Sequence, residues 1–128
     1  MGPQDIGFAC GLIIRPEEGV VSIGARELPD PLTDKEFSVL YAVAKQRGRL
    51  IARSTVQKEV WGDEFSNPRT VDVFIFRVRT KLGALPRGRG EMAVGPNDGL
   101  VRTERGVGFG MGWRAFDSNE LVMPRPRN

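Results

Sequence analysis

The residues best equipped for chemistry in this chain are arginines, and they are interleaved with apolar groups at helical spacing. Arg69, Arg77, Arg79 and Lys81 share one short segment with Val73, Phe76 and Thr80. A guanidinium presents a planar fork of donors that matches paired acceptors on a phosphate or on the major-groove edge of guanine. At about 100° per residue, Arg69, Val73, Phe76, Arg77 and Thr80 fall within about 60° of one direction, flanked by Arg79 and Lys81. Val71, Ile75, Val78 and Leu82 fall within about 30° of the opposite direction, with Phe74 at the margin. The second face belongs in a core. The first suits a major groove, where arginine pairs with guanine and a methyl-bearing side chain packs on thymine. A merely solvated face would carry Glu and Lys at i, i+4 and would not expose Val73 and Phe76.

Other chemistries find little to work with. The chain has no histidine to act as a general base, its one cysteine (Cys10) falls in an expected strand, and its carboxylates are scattered along turns. A zinc site would have to be built from carboxylates, so no metal, no cofactor, no small-molecule substrate and no enzymatic activity are expected. The glycines from Gly106 to Gly112 recur with period two and miss the G-x-G-x-x-G spacing, because position 111 is methionine. One cysteine forms no internal disulfide, and the longest apolar run, Phe8 to Ile14, is far short of the roughly 20 residues of a membrane helix. A reducing cytoplasm and no membrane partner are the expectation.

Charge sharpens the reading. Residues 1–66 hold 8 basic and 10 acidic side chains, residues 67–114 hold 9 and 4, and residues 115–128 hold 2 and 2, which sums to the net +3. A basic second half on a nearly neutral chain is the footprint of a polyanionic partner.

The elements that would position these groups can be read in order. Short strands are expected over Phe8–Ile14 and Val20–Ile23, around a turn at Glu17-Glu18-Gly19, giving a small antiparallel sheet. Thr33-Asp34-Lys35-Glu36 is a capping box that opens a helix with Phe37, Leu40, Tyr41 and Ala44 on one face, ended by Gly48. Arg53–Trp61 reads as a second helix stopped by Gly62. Its start is either a box at Ser54-Thr55-Val56-Gln57 or Arg53 itself. Asn67 and Pro68 open the third helix, which runs to Leu82 and stops at Gly83. After a loop over 83–99, rich in Gly, Pro and Arg, Leu100–Thr103 and Phe109–Arg114 read as a hairpin with Arg105 at its tip. The chain of 128 residues fits one α+β domain over residues 8–114, with a disordered stretch at 1–7 and a loose tail at 115–128. Three helices followed by a hairpin make a winged helix-turn-helix, here behind an N-terminal sheet.

Four blocks stand in that order: Leu32-Thr33-x-x-Glu36-Phe37, Val60-Trp61-Gly62, Arg69-Thr70-Val71-Asp72-Val73-x-Ile75-x-Arg77-Val78-Arg79-x-Lys81-Leu82, and Arg102-Thr103-x-Arg105-Gly106-Val107-Gly108-Phe109. Together they closely resemble the DNA-binding effector domain of OmpR/PhoB-type response regulators. The resemblance implies double-stranded DNA as partner, with the third helix in the major groove. It implies contacts of Arg69, Val73 and Arg77 with base edges or nearby phosphates, and phosphate contacts from Arg53, Trp61, Arg79 and Thr103; the exposed stripe adds Phe76 and Thr80 to the groove-facing set, and Thr70 and Lys81 join the expected phosphate contacts. Arg105 would enter the minor groove. It further implies head-to-tail pairing on tandem half-sites and contact of the segment around Asp63, Glu64 and Phe65 with RNA polymerase.

The chain also departs from that pattern. Phe74 stands where histidine is common, Phe76 where arginine is common, Phe109 where tyrosine is usual, and Ala52 where Ser or Thr usually caps the second helix. No receiver module of about 120 residues fits beside this domain. An excised effector domain or a stand-alone regulator is therefore expected, and Met1 and the extra tail favour the latter. Pro86-Arg87-Gly88-Arg89-Gly90 resembles an AT-hook core whose closing proline is replaced by glycine. Arg87 and Arg89 are thus minor-groove candidates, although a solvated linker is the commoner reading of such a segment. A winged-helix adaptor that binds a protein through Phe76 and the loop is the alternative function.

Overall fold

The computed structural model describes residues 4–23, 26–62, 67, 69–83 and 100–116. Four short strands come first: β1 (Ile6–Gly7), β2 (Leu12–Arg15), β3 (Val20–Ile23) and β4 (Arg26–Glu27) form an antiparallel sheet in that order. The apolar run expected as one strand is two elements. Gly11, at φ +98°, reverses the chain, and its N–H donates to the Phe8 carbonyl at 2.9 Å, so that Phe8 and Cys10 drop into the core from a turn. Ile6 then pairs with Ile14, and Leu12 and Ile14 alternate inward as a half-buried sheet requires.

Residues on either side of 8–114 also take part in the packing. Ile6 is buried, and the Tyr41 hydroxyl donates to the Gln4 carbonyl at 3.1 Å. At the other end a 3₁₀ turn, Trp113–Phe116, buries Ala115, whose carbonyl accepts from the Cys10 N–H at 3.1 Å, while Phe116 meets the Phe8 ring edge-on at 5.6 Å. The apolar content of these segments, Ile6 and Ala115-Phe116, closes the core between the sheet and the hairpin.

α1 (Asp34–Ala44) opens with the expected capping box: the Glu36 N–H donates to Thr33 Oγ1 at 3.3 Å and the Thr33 N–H to Glu36 Oε1 at 3.0 Å. It ends at Ala44, short of Gly48, and a turn containing Arg47 and Gly48 at positive φ leads away. α2 (Arg53–Trp61) starts at Arg53 with Ala52 as its cap residue, so the Ser54–Gln57 box does not form. Without a side-chain cap, it is held by the buried Val56 and closed by Gly62 at φ +66°. α3 (Arg69–Gly83) has its first free N–H, that of Arg69, bonded by Asn67 Oδ1 at 3.0 Å. Val71, Ile75, Val78 and Leu82 are all buried, so the core face expected from periodicity is the observed one.

The hairpin is β5 (Val101–Glu104) and β6 (Gly108–Met111), with Arg105, Gly106 and Val107 at its tip. It is joined to the segment between α1 and α2, where Ile51 and Phe109 exchange both backbone hydrogen bonds at 2.8 and 2.9 Å.

Candidate nucleic-acid interface

The basic face is built by the same periodicity that builds the core. Burying Val71, Ile75, Val78 and Leu82 turns Arg69, Val73, Phe76, Arg77 and Thr80 outward, and all five are exposed. Val73 and Phe76 remain 46% and 58% exposed, although leaving such side chains in water is unfavourable. The Thr80 hydroxyl donates to the Phe76 carbonyl at 2.9 Å, a back-bond within the helix.

Arg77 is held in place. Its guanidinium carbon lies 5.1 Å from the centre of the Phe74 ring, Phe74 meets Trp61 edge-on at 5.2 Å, and the Lys35 ammonium sits 5.7 Å from the Trp61 ring. This cation–aromatic series runs from α1 through α2 to the outer face of α3. Trp61, expected to face a phosphate, is half-buried within it.

A cleft of about 670 Å³ separates α3 from the hairpin, lined among others by Arg53, Asp72, Phe76, Arg79, Thr103 and Arg105. Arg53 grips Asp72 with two parallel contacts of 3.1 Å, and both side chains stay nearly half-exposed. Arg79 donates from Nε to the Val101 carbonyl at 3.0 Å and from its terminal nitrogen to Thr103 Oγ1, strapping α3 to β5. Arg105 stands exposed at the tip, and Thr70 is half-buried on the first turn of α3.

Lys81, expected at a phosphate, points its ammonium inward to Glu36 at 2.7 Å and the Pro31 carbonyl at 3.0 Å, with the Asp30 carboxylate at 3.8 Å and the side chain only 17% exposed. The cause is Glu36, a carboxylate buried at the start of α1 that a nearby cation stabilises. Burial alone would raise the Glu36 carboxyl, but the hydrogen bonds from Lys81 and the Thr33 N–H, with the Lys81 charge, outweigh it and hold the group below its usual value.

Two contributors escaped sequence reasoning. Asp72 brings a negative charge into the cleft, and Arg102 reaches back from β5 to the Gly48 carbonyl at 3.2 Å. Asp72 was visible as the one acid among the α3 cations. The Arg102 contact spans 54 residues and left no local signal. Asp63, Glu64, Phe65, Arg87 and Arg89 lie outside the described residues. Among the described residues no cluster of three or more potential ligands could hold a metal ion, and no helix is long and apolar enough to cross a membrane.

Comparison with known proteins agrees with this geometry. Residues 29–111 match the family described as "Transcriptional regulatory protein, C terminal". The transcriptional regulatory protein HprR of Escherichia coli K12 is 39% identical over 90 residues, which cover 69% of this chain and 35% of HprR. The chain spans about a third to a half of the length of the curated relatives it matches. The DNA-binding domain of CpxR from E. coli is 26% identical with a TM-score of 0.63, covering 84% of this chain and 94% of that one. The Klebsiella pneumoniae RstA DNA-binding domain, solved in complex with the RstA box, is 25% identical with a TM-score of 0.62, covering 84% of this chain and 96% of that one. Fold, motif order and the exposed basic helix thus coincide: the chain belongs to the OmpR/PhoB-type winged-helix family of C-terminal DNA-binding domains of transcriptional regulatory proteins.

Proposed function

We propose that this chain reads duplex DNA for a sequence-specific transcriptional regulator, with α3 in the major groove and the hairpin tip in the adjacent minor groove. The observation that carries the proposal is the exposed stripe of Arg69, Val73, Phe76, Arg77 and Thr80 directly opposite the buried face of α3. Its relative RstA has the same fold and was solved on a DNA box, which supports the assignment. Arg69 and Arg77 would meet base edges or the phosphates beside them. Arg53, Thr70, Trp61 and Thr103 would meet the backbone, and Arg105 the narrow groove. Arg79 would act mainly by fixing the hairpin against α3. Lys81, expected at a phosphate, would stay paired with Glu36 unless a phosphate drew it out. RNA polymerase contact through Asp63, Glu64 and Phe65, pairing of two copies on tandem half-sites, minor-groove contact by Arg87 and Arg89, and action at the bacterial nucleoid complete the reading.

The test is salt. A reader that neutralises about five phosphates has a slope of log affinity against log salt near −4.5, as counterions are released. Equilibrium binding of the chain to a duplex selected from a random pool, between 50 and 200 mM salt, measures it. A flat response overturns the proposal. The exposure of Phe76 favours a second reading, an adaptor that binds protein through this face, and a chain that ignores DNA but retains a protein partner would establish that instead.

A further inference from the structure

The exposed stripe is not uniformly cationic. Val73, Phe76 and Thr80 follow one another at i, i+3 and i+7, so they form an apolar strip along α3 that begins one turn after Arg69 and passes beside Arg77. Thr80 belongs to the strip because its hydroxyl is turned back onto the Phe76 carbonyl. Phe76, at 58%, is more exposed than Val73, at 46%, and also lines the cleft beside the hairpin. A phenyl ring has no donor for a phosphate, and its negative face repels one. The edges of the bases in a major groove are polar, with one exception: the C5-methyl group of thymine. The surrounding cations Arg69, Arg77 and Arg105 suit a polyanion, so the occupant of the strip must offer an apolar spot inside a negatively charged surface.

We infer that Phe76 is a specificity-determining residue that selects thymine by covering its C5-methyl group. The inference rests on the reading of α3 as the groove-facing helix. Covering one methyl group removes it and part of the ring from water, which corresponds to about a three- to fivefold gain in affinity over the same site lacking the methyl.

The experiment uses the whole chain and its selected duplex, with each thymine replaced in turn by deoxyuridine, which deletes only the methyl group. One or two adjacent replacements should weaken binding about three- to fivefold, and the others should have little effect. Phe76→Ala should bind the thymine and deoxyuridine duplexes equally, while its melting temperature stays near that of the parent because the ring is exposed. Phe76→Arg should also lose the methyl dependence and steepen the salt slope by about one phosphate. Salt-dependent binding with a flat deoxyuridine scan overturns the thymine assignment and leaves the DNA reading intact. So does a methyl penalty that survives in Phe76→Ala. An unchanged affinity of Phe76→Ala for the parent duplex would point instead to a protein surface at this position. Absence of any salt-dependent duplex binding would remove the DNA reading itself.

Discussion

Arg77 illustrates how a flexible cation is made ready for recognition. An arginine free in solvent loses rotamer entropy when it docks, whereas one stacked on Phe74 has lost part of it already. Arg77→Ala should cost ~1 to 3 kcal/mol on the selected duplex and relax preference at one base position. Phe74→Leu keeps apolar volume beside Trp61 but deletes the ring, so it should weaken the selected duplex by about 0.5 to 1 kcal/mol and leave random duplex nearly unchanged. Titration of both variants on both duplexes decides it, and equal losses on the two for Phe74→Leu would mean that the stacking serves packing and not reading. The helical wheel made the exposure of Arg77, Val73 and Phe76 legible in the sequence, because exposure depends on an angle within one element. It could not place Lys81, which sits at the edge of the stripe, since the side chain's direction depends on a carboxylate 45 residues away. The same limit applies to Arg79, whose partners Val101 and Thr103 lie on the hairpin.

The hairpin is positioned by backbone as much as by side chains. Gly108 passes so close to Ile51 that a β-carbon there would lie 2.0 Å from the Ile51 carbonyl oxygen, whereas one at Gly106 would meet nothing within 4 Å. Gly108→Ala should therefore break the Ile51–Phe109 bridge and cost about 3 kcal/mol or more, while Gly106→Ala, strained only by its φ of +80°, should cost about 1 kcal/mol. Urea unfolding of the two variants separates the cases, and equal stabilities would contradict the close approach. The strand limits differ from those the local pattern gives, 100–103 and 109–114. Pairing runs from Val101–Met111 to Glu104–Gly108, and Phe109 also bridges to Ile51 in the distant inter-helix segment, a contact no local pattern contains. The capping box of α1 was readable because Thr33 and Glu36 are neighbours. The absent box of α2 was not, because tertiary anchoring of Val56 starts that helix without one.

Across the whole molecule, α3 has to be held by one face while the other is offered to a partner, and the ion pair between its last turn and α1 contributes to that hold. Lys81 joins α3 to Glu36 on α1 and to the Pro31 carbonyl before it, so a single ammonium ties three segments at the end of α3 remote from Asn67. Glu36→Gln leaves the largely buried Lys81 with only the exposed Asp30 carboxylate, at 3.8 Å, as charge partner and should lower unfolding stability by about 1 to 3 kcal/mol at pH 7. The direction of the pH effect follows from the lowered carboxyl. The folded chain binds the Glu36 proton more weakly than the unfolded chain does, so this contribution is complete above the unfolded glutamate value of about 4.3 and is lost as pH falls through the lower folded value. Urea unfolding of the parent and Glu36→Gln at pH 7, 5, 4 and 3 should show a gap that is constant from 7 to 5 and narrows below. A gap unchanged down to pH 3 would show that the charge of Glu36 does not hold α3, and that its hydrogen bonds alone do so. Lys81 follows Arg77 by one turn, but its ammonium is drawn off the stripe to α1, so loss of stability in Glu36→Gln should leave the base preference of the folded fraction unaltered, which a selection of bound sites at pH 7 would verify.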